Sequence, residues 1–172
     1  MEIRQAIAAD FEQIWPIFHQ VVCQGNTFAF APNTSKSAAE HLWMQLPQVT
    51  YVAVHAANIL GSYYLKPNLP GLCSHICNAG FIVAQAARGQ GVGRLMGEHA
   101  LQTSQTLGFK GMQFNCVVST NEPAVQLWQK LGFKIIGTVP QGFQHQDLGL
   151  VDIFIMYRQL DTELDPGREL QE

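Results

Sequence analysis

The sequence predicts an α/β fold: a mixed, largely antiparallel twisted sheet flanked by helices. Three observations carry this prediction. Apolar segments with strand or helix periodicity follow one another in the order β-α-α-β-β-β-α-β-α-β-β. Two of the helices leave directly from a strand, and each is stopped by a glycine, Gly108 and Gly132. Hydrophobic residues make up 47% of 172 residues and charged residues only 13%, which supports one buried core and excludes a disordered chain.

The elements follow in order. Residues 2–7 read as a first strand. Asp10 stands where a helix would begin, with Ile14, Ile17, Phe18, Val21 and Val22 at helical spacing and Pro16 as a point for a kink. A loop from Gly25 to Pro32 carries Phe28 and Phe30. Ser37 and Glu40 have the spacing of a capping box, before a helix through about Leu46. Strands are expected at Thr50–Ala56 and Ile59–Lys66 around an Ala57-Asn58 turn, followed by a break at residues 67–71. Leu72–Val83 alternates as one long strand, and the Gly80 inside it marks a bulge or a close backbone approach. A helix runs to Leu107, and Gly111–Val118 is the next strand. Ser119 and Glu122 have capping-box spacing before the second glycine-stopped helix, which carries Pro123 in its first turn. Strands at Phe133–Val139 and Asp152–Arg158 bracket a Gly/Gln-rich loop. No repeat or linker divides the chain, so residues 1–160 are read as one domain and 161–172 as an acidic tail.

Charge narrows the partners. The net charge of −3 comes from Asp161, Glu163, Asp165, Glu169 and Glu172, opposed in the tail only by Arg168; the body has nine Lys/Arg against eight Asp/Glu. No basic stripe suits nucleic acid, and no acidic body suits a polycation such as a histone tail, a polyamine or an aminoglycoside. No apolar run is long enough to span a bilayer and no signal peptide is evident, so the expectation is a cytoplasmic protein. Cys23, Cys73, Cys77 and Cys116 fit a reducing compartment as small buried thiols. The Cys73-x-His75-x-Cys77 spacing does not suit a zinc site, and no metal is expected.

The densest chemical signal is Arg88-Gly89-Gln90-Gly91-Val92-Gly93-Arg94. Three glycines within five residues, between a strand ending in Phe81-Ile82-Val83 and a helix, let a ligand approach the main chain. The first N–H groups of a helix lack internal partners and favour an anion, and two arginines add forked donors. The stretch lacks the Gly-Lys-Ser/Thr of a P-loop. It also fails the dinucleotide pattern, because the sixth position is Met96 counted from Gly91 and Arg94 counted from Gly89.

The Arg88-x-x-Gly91-x-Gly93 pattern resembles the acetyl-CoA pyrophosphate loop of the GNAT N-acetyltransferases. The later run Asn121-Glu122-Pro123-Ala124-Val125-Gln126-Leu127-Trp128-Gln129-Lys130-Leu131-Gly132-Phe133 is similar to that family's second signature. The resemblance implies the order of elements given above and acetyl-CoA as cosubstrate. It also implies that Phe81, Ile82 and Val83 lie along the pantetheine arm, that the Arg88–Arg94 loop holds the pyrophosphate, and that Asn121, Ala124 and Trp128 lie along the arm and thioester. A homodimer is the family's habit.

Two departures from the family pattern bear on mechanism. Trp128 stands where many members carry a tyrosine acid, and an indole N–H can donate a hydrogen bond but not a proton near neutral pH. The strand before the loop carries Asn78 where a carboxylate base would serve. Asn78 and Asn115, both on strands among apolar neighbours, are therefore the candidate catalytic side chains, orienting by amide hydrogen bonds. The set Asn78-Ala79-Gly80-Phe81, Asn115 and Asn121 resembles, more weakly, the fungal acetyltransferases of proline analogues such as azetidine-2-carboxylate. Phe28, Phe30 and His145 are candidate acceptor-site residues. The expected activity is direct acetyl transfer to the amine of a small molecule, with a free amino acid or analogue as the first acceptor class. A protein or peptide acetyltransferase and a non-catalytic CoA-binding module are the alternatives.

Overall fold

The computed structural model describes residues 1–160; the acidic tail, 161–172, lies outside the described residues. The elements are β1 (Glu2–Gln5), α1 (Phe11–Cys23), α2 (Lys36–Glu40), β2 (Val49–His55), β3 (Asn58–Pro67), β4 (Ile76–Val83), α3 (Val92–Thr106), β5 (Gly111–Val118), α4 (Glu122–Lys130), β6 (Lys134–His145) and β7 (Gly149–Gln159). The seven strands form one sheet in the order β1-β2-β3-β4-β5-β7-β6. Every pairing is antiparallel except β4 with β5, so the sheet is mixed and largely antiparallel. No helix of the described residues is long and apolar enough to cross a membrane.

Strand alternation divides the core between the two faces. On one face, Val52, Tyr64 and Ile82 pack against Phe11, Ile14, Phe18 and Val22 of α1 and Trp43 of the turn that continues α2. On the other face, Ala53, Tyr63, Cys77 and Ala79 pack with Val92, Met96 and Ala100 of α3 and Trp128 of α4.

The pairing of β4 with β5 sets up the site. It consists of Ile76↔Gly111 and Cys77↔Met112 and goes no further, so the strands part from Asn78 and Gln113 onward. The bulge that accompanies this parting lies on β5. Phe114 pairs with Met156 and Val117 with Phe154, so Asn115 and Cys116 together oppose a single residue of β7. Gly80 is not a bulge: β3 and β4 pair without interruption from Gly61↔Val83 to Pro67↔Cys77. Gly80 answers instead to a close approach, since a Cβ there would lie 2.5 Å from Cε1 of Tyr64.

Several local expectations shift by a few residues. Asp10 stands at the start of α1, but its carboxylate bonds the Arg4 guanidinium at 2.7 and 2.8 Å and the Ile7 N–H at 2.8 Å instead of capping the helix. Ser35, not Ser37, caps α2 by accepting from the Ala38 N–H, and a π turn over His41–Gln45 extends the helix. The Ser119–Glu122 box does not form; α4 starts at Glu122, with Asn121 in the cap position and no side-chain cap bond. Gly108 and Gly132 stop α3 and α4 with φ of +84° and +83°.

The strand expected from Leu72 begins only at Ile76, because Gly71–Cys73 form a 3-10 turn. Cys73 is consequently exposed while Cys77 is buried, so only one member of this pair is a buried thiol; Cys23 and Cys116 are half-buried. The expected Gly/Gln-rich loop is mostly strand: β6 and β7 form a long hairpin that turns at residues 146–148. Its irregularity lies between Val139 and Phe143, where the Asp152 side chain accepts the Gln141 N–H at 2.9 Å.

Arg4 and the Ile7 N–H hold the Asp10 carboxyl below the usual carboxylate range. The stability this confers is complete above the unfolded-state value of about 3.9 and is lost as pH falls through the depressed folded value. Asp10→Asn is expected to cost about 1–2 kcal/mol at neutral pH, discounted for the partly exposed arginine, and to flatten the acid limb of a urea-unfolding series. An unchanged midpoint at pH 7 would show that this pair contributes nothing.

Candidate active site

A cleft of about 1120 Å³ opens where β4 and β5 part. The Asn115–Cys116 bulge of β5 lies just beyond the last paired residue, and no ladder restores contact with β4 after it. Backbone groups facing the gap have lost the neighbour that a continuous sheet would supply, and such groups seek partners.

Each face of the fork has its own brace. On the side of α3 and α4, the Trp128 ring lies 4.8 Å from Phe81 of β4 and 4.7 Å from Phe114 of β5, and so touches both diverging strands. Trp128 is buried, yet it also lines the cleft. On the other side, Asn78 Nδ2 donates to the Gln113 carbonyl at 2.9 Å and replaces the first missing ladder bond. Gln113 Nε2 then donates to Asn115 Oδ1 at 2.9 Å, and Asn115 Nδ2 to Asn68 Oδ1 at 2.6 Å. The two strand amides therefore belong to one hydrogen-bonded group at the root of the cleft.

The glycine loop forms the other end. Gly91 is the cap of α3 with φ +80°, in open space, and the first bond back into the helix is Leu95 N–H to Gly91 C=O at 3.0 Å. The amides of Val92, Gly93 and Arg94 precede that bond and have no intrahelical acceptor. Arg94 Nε is bonded to Glu98 at 2.8 Å, and Arg88 has no salt bridge among the described residues. Positive charge and unpaired amides thus converge on the cleft, an arrangement that suits a phosphate.

The cleft gathers Phe28, Phe30, Asn78, Phe81, Ile82, Val83, Arg88, Gly89, Gly91, Val92, Gly93, Arg94, Asn115, Asn121, Ala124, Trp128 and His145. Gln90 stands outside it, its side chain donating to the Ala86 carbonyl at 2.8 Å. Phe28 and Phe30 stack at 5.6 Å and rest on Trp43 and Phe18 respectively, so they are part core and part cleft wall. His145 sits at the hairpin tip, where its Nδ1 accepts the Asp147 and Leu148 N–H groups at 3.1 and 3.3 Å. That leaves Nε2 as the proton-bearing nitrogen of the neutral ring, a donor and not a base. The tip docks through Gln146 N–H to the Gly25 carbonyl at 3.0 Å, joining the hairpin to the loop that carries Phe28.

Sequence reasoning missed several residues of the lining. Asn26 and Thr27 precede the two phenylalanines and bring side-chain oxygens that are buried without partners. Cys116, in the β5 bulge, lines the cleft, and burial pushes its thiol pKa up. Tyr64 lines the cleft from β3; the available signal was an aromatic residue beside a strand glycine, which becomes visible only once the register pairs Tyr64 with Gly80.

A model of the acetyltransferase (GNAT) family matches residues 8–133. The N-acetyltransferase aca1 of Schizosaccharomyces pombe is 40% identical over 99 residues, covering 57% of this chain and 47% of the relative, so the chain spans about half that relative's length. A solved GCN5-related N-acetyltransferase from Kribbella flavida is 44% identical, with a TM-score of 0.89 over 92% of this chain and 97% of that one. A phosphinothricin acetyltransferase from Sinorhizobium meliloti, solved in complex with acetyl-CoA, shares the fold at 20% identity, with a TM-score of 0.83 over 92% of this chain and 88% of that one.

Because Asn78 supplies the first bond after the ladder ends, Asn78→Ala leaves the Gln113 carbonyl without its partner. It should destabilise the protein by about 1–3 kcal/mol in urea unfolding. Full stability in that variant would show that the fork is braced without the amide.

Proposed function

The chain belongs to the GNAT family of N-acetyltransferases, and from that premise we propose that it transfers acetyl from acetyl-CoA directly to the amine of a small molecule, with a free amino acid or close analogue as the acceptor class. One observation carries the acceptor class. Among the described residues the cleft lining includes no carboxylate; it has Arg88, Arg94 and Lys130 as cations and Gln24, Asn26, Asn78, Asn115 and Asn121 as amides. A polycationic acceptor would find no counter-charge there, and with Arg88 and Arg94 given to the pyrophosphate the amides remain as donors for an acceptor that bears its own carboxylate.

The residues fit acetyl-CoA on two counts. The left-handed Gly91 turn presents helix-start amides between two arginines, which suits a pyrophosphate. The parted edges of β4 and β5 offer backbone groups to the amides of the pantetheine arm. In this reading Arg88, Gly89, Gly91, Val92, Gly93 and Arg94 hold the pyrophosphate, and Gln90 acts only by shaping the turn. Phe81, Ile82 and Val83 line the arm, with Ala124 and with Asn121, whose side chain makes no cap bond of its own. When bound, acetyl-CoA supplies the acyl group in activated form as a thioester.

The chain's own residues then position and shield. Phe81, Phe114 and Trp128 keep water from the reacting end. Asn78 and Asn115 orient the acceptor from the root of the fork, Phe28 and Phe30 wall it, and His145 donates from Nε2. A covalent acyl-enzyme finds no support: Cys116 lines the cleft, but burial keeps its thiol protonated. Direct transfer in a ternary complex is the remaining course: the amine nitrogen would bond the acetyl carbonyl carbon as the carbon–sulfur bond breaks, the amine proton would pass to solvent, and the departing CoA thiolate would take a proton from solvent.

Two further parts of the proposal rest on simpler features. The cysteines are free, which supports a reducing, cytoplasmic compartment. The edge strand β6 leaves Ile136 and Val139 exposed, at 58% and 40%, which supports a homodimer. Light scattering that reads only monomer at micromolar concentration would overturn the dimer.

Thiol release from acetyl-CoA, measured against a panel of free amino acids, proline analogues and peptides, tests the activity. Free amino acids or analogues should be turned over at least about tenfold faster than peptides. Turnover of peptides alone would replace the reading with protein acetylation. CoA binding without turnover of any amine would replace it with a non-catalytic module.

A further inference from the structure

Tyr64 is the one tyrosine that lines the cleft, and the fold goes to some length to place it there. Its phenol end lies across the neighbouring strand directly over Gly80, where a Cβ would meet Cε1 at 2.5 Å, Cζ at 2.8 Å and the hydroxyl oxygen at 3.0 Å. The ring is fixed from behind by the edge of Trp43, 5.0 Å away at 87°. Trp43 is itself anchored by its Nε1–H to Ser62 Oγ at 2.9 Å. Tyr64 is 7% exposed, and among the described residues its hydroxyl has one hydrogen-bond partner, Asn78 Oδ1, at a long 3.5 Å.

Asn78 is oriented without ambiguity. The Gln113 carbonyl can only accept, so the atom facing it must be Nδ2, and Oδ1 must face the tyrosine. Oδ1 is then the acceptor facing the Tyr64 O–H, at a distance longer than an ordinary O–H···O bond, and the hydroxyl lone pairs are left for a donor in the cleft. Burial pushes the phenol pKa up to about 12, so the hydroxyl stays protonated through the neutral range and is no base.

We propose that Tyr64 is a substrate-positioning residue whose hydroxyl accepts an N–H of the acceptor amine while donating to Asn78 Oδ1. The chain amine N–H to Tyr64, Tyr64 O–H to Asn78, Asn78 N–H to the Gln113 carbonyl is polarised in one direction and strengthens as positive charge grows on the attacking nitrogen. Tyr64 neither takes nor gives up a proton in this role. Gly80 serves the same end, since only a strand residue without a side chain lets the phenol reach this position. The inference rests on the reading that the cleft transfers acetyl to an amine.

The test is Tyr64→Phe, which keeps the ring over Gly80 and against Trp43 and removes only the hydroxyl. The expected result is a loss of about 10- to 100-fold in kcat/KM for the amine, with the KM for acetyl-CoA and the melting temperature near wild type. In wild-type protein labelled with 13C at tyrosine Cζ, the resonance that disappears in Tyr64→Phe should shift when amine is added to the CoA-bound enzyme. Gly80→Ala, which displaces the ring, should lower turnover, and should do so less in the Tyr64→Phe background. Wild-type kcat/KM for the amine in Tyr64→Phe, or a Tyr64 resonance that ignores the amine, overturns the inference and leaves the transfer reading standing. A wild-type enzyme that acetylates no amine overturns both.

Discussion

The parting of β4 and β5 is the constraint on which the rest of the molecule depends. Two paired positions, Ile76↔Gly111 and Cys77↔Met112, hold the strands together, and beyond them the sheet opens. A sheet that opens exposes backbone groups and apolar side chains on both strands, and the fold must brace the opening. It does so asymmetrically. An aromatic wedge, Trp128 between Phe81 and Phe114, props the side of α3 and α4, and an amide clamp from Asn78 to the Gln113 carbonyl closes the side of α1. Dispersion contacts suit a wall that must exclude water, and a directional hydrogen bond suits a root that must hold one geometry.

The two faces of β4 separate two tasks. Phe81 and Val83 point with α3, α4 and the glycine loop, the side on which helix-start amides and arginines suit an anionic cofactor. Gly80 and Ile82 share the other face with Tyr64, Trp43 and α1, where the Phe28–Phe30 loop and the tip of the β6–β7 hairpin meet through Gly25 and Gln146. Strand alternation makes this division without further help, because neighbouring residues of one strand necessarily face opposite ways. The gap between β4 and β5 is where the two sides communicate.

The number and order of elements were legible because they follow from local periodicity. The stops at Gly108 and Gly132 were legible because a left-handed residue after a helix calls for glycine. The glycine loop and the Asn121–Phe133 helix were legible as chemistry, and the structure brings both to one cleft. Caps were less legible. Ser119-x-x-Glu122 has the right spacing, but the Ser119 N–H is bonded to the Asp152 carbonyl, which holds that residue in a strand-end geometry and delays the helix by a turn's fraction. Asp10 likewise has a stronger partner than the helix, the bidentate Arg4 guanidinium. In both cases a contact from elsewhere in the chain outcompetes a local one of about 1 kcal/mol.

The sequence by itself determined the α/β class, the succession of elements, and the presence of a glycine-rich turn at a helix start, because each depends on residues close together in the chain. Only the tertiary structure decided where the bulge lies, on β5 and not at Gly80, since a bulge is a relation between two strands. Only it showed that Asn78 and Asn115 form one hydrogen-bonded group, and that Gly80 is small because Tyr64 lies across it. Register and side-chain reach across strands arise from packing between distant segments, and no window of neighbouring residues contains that information.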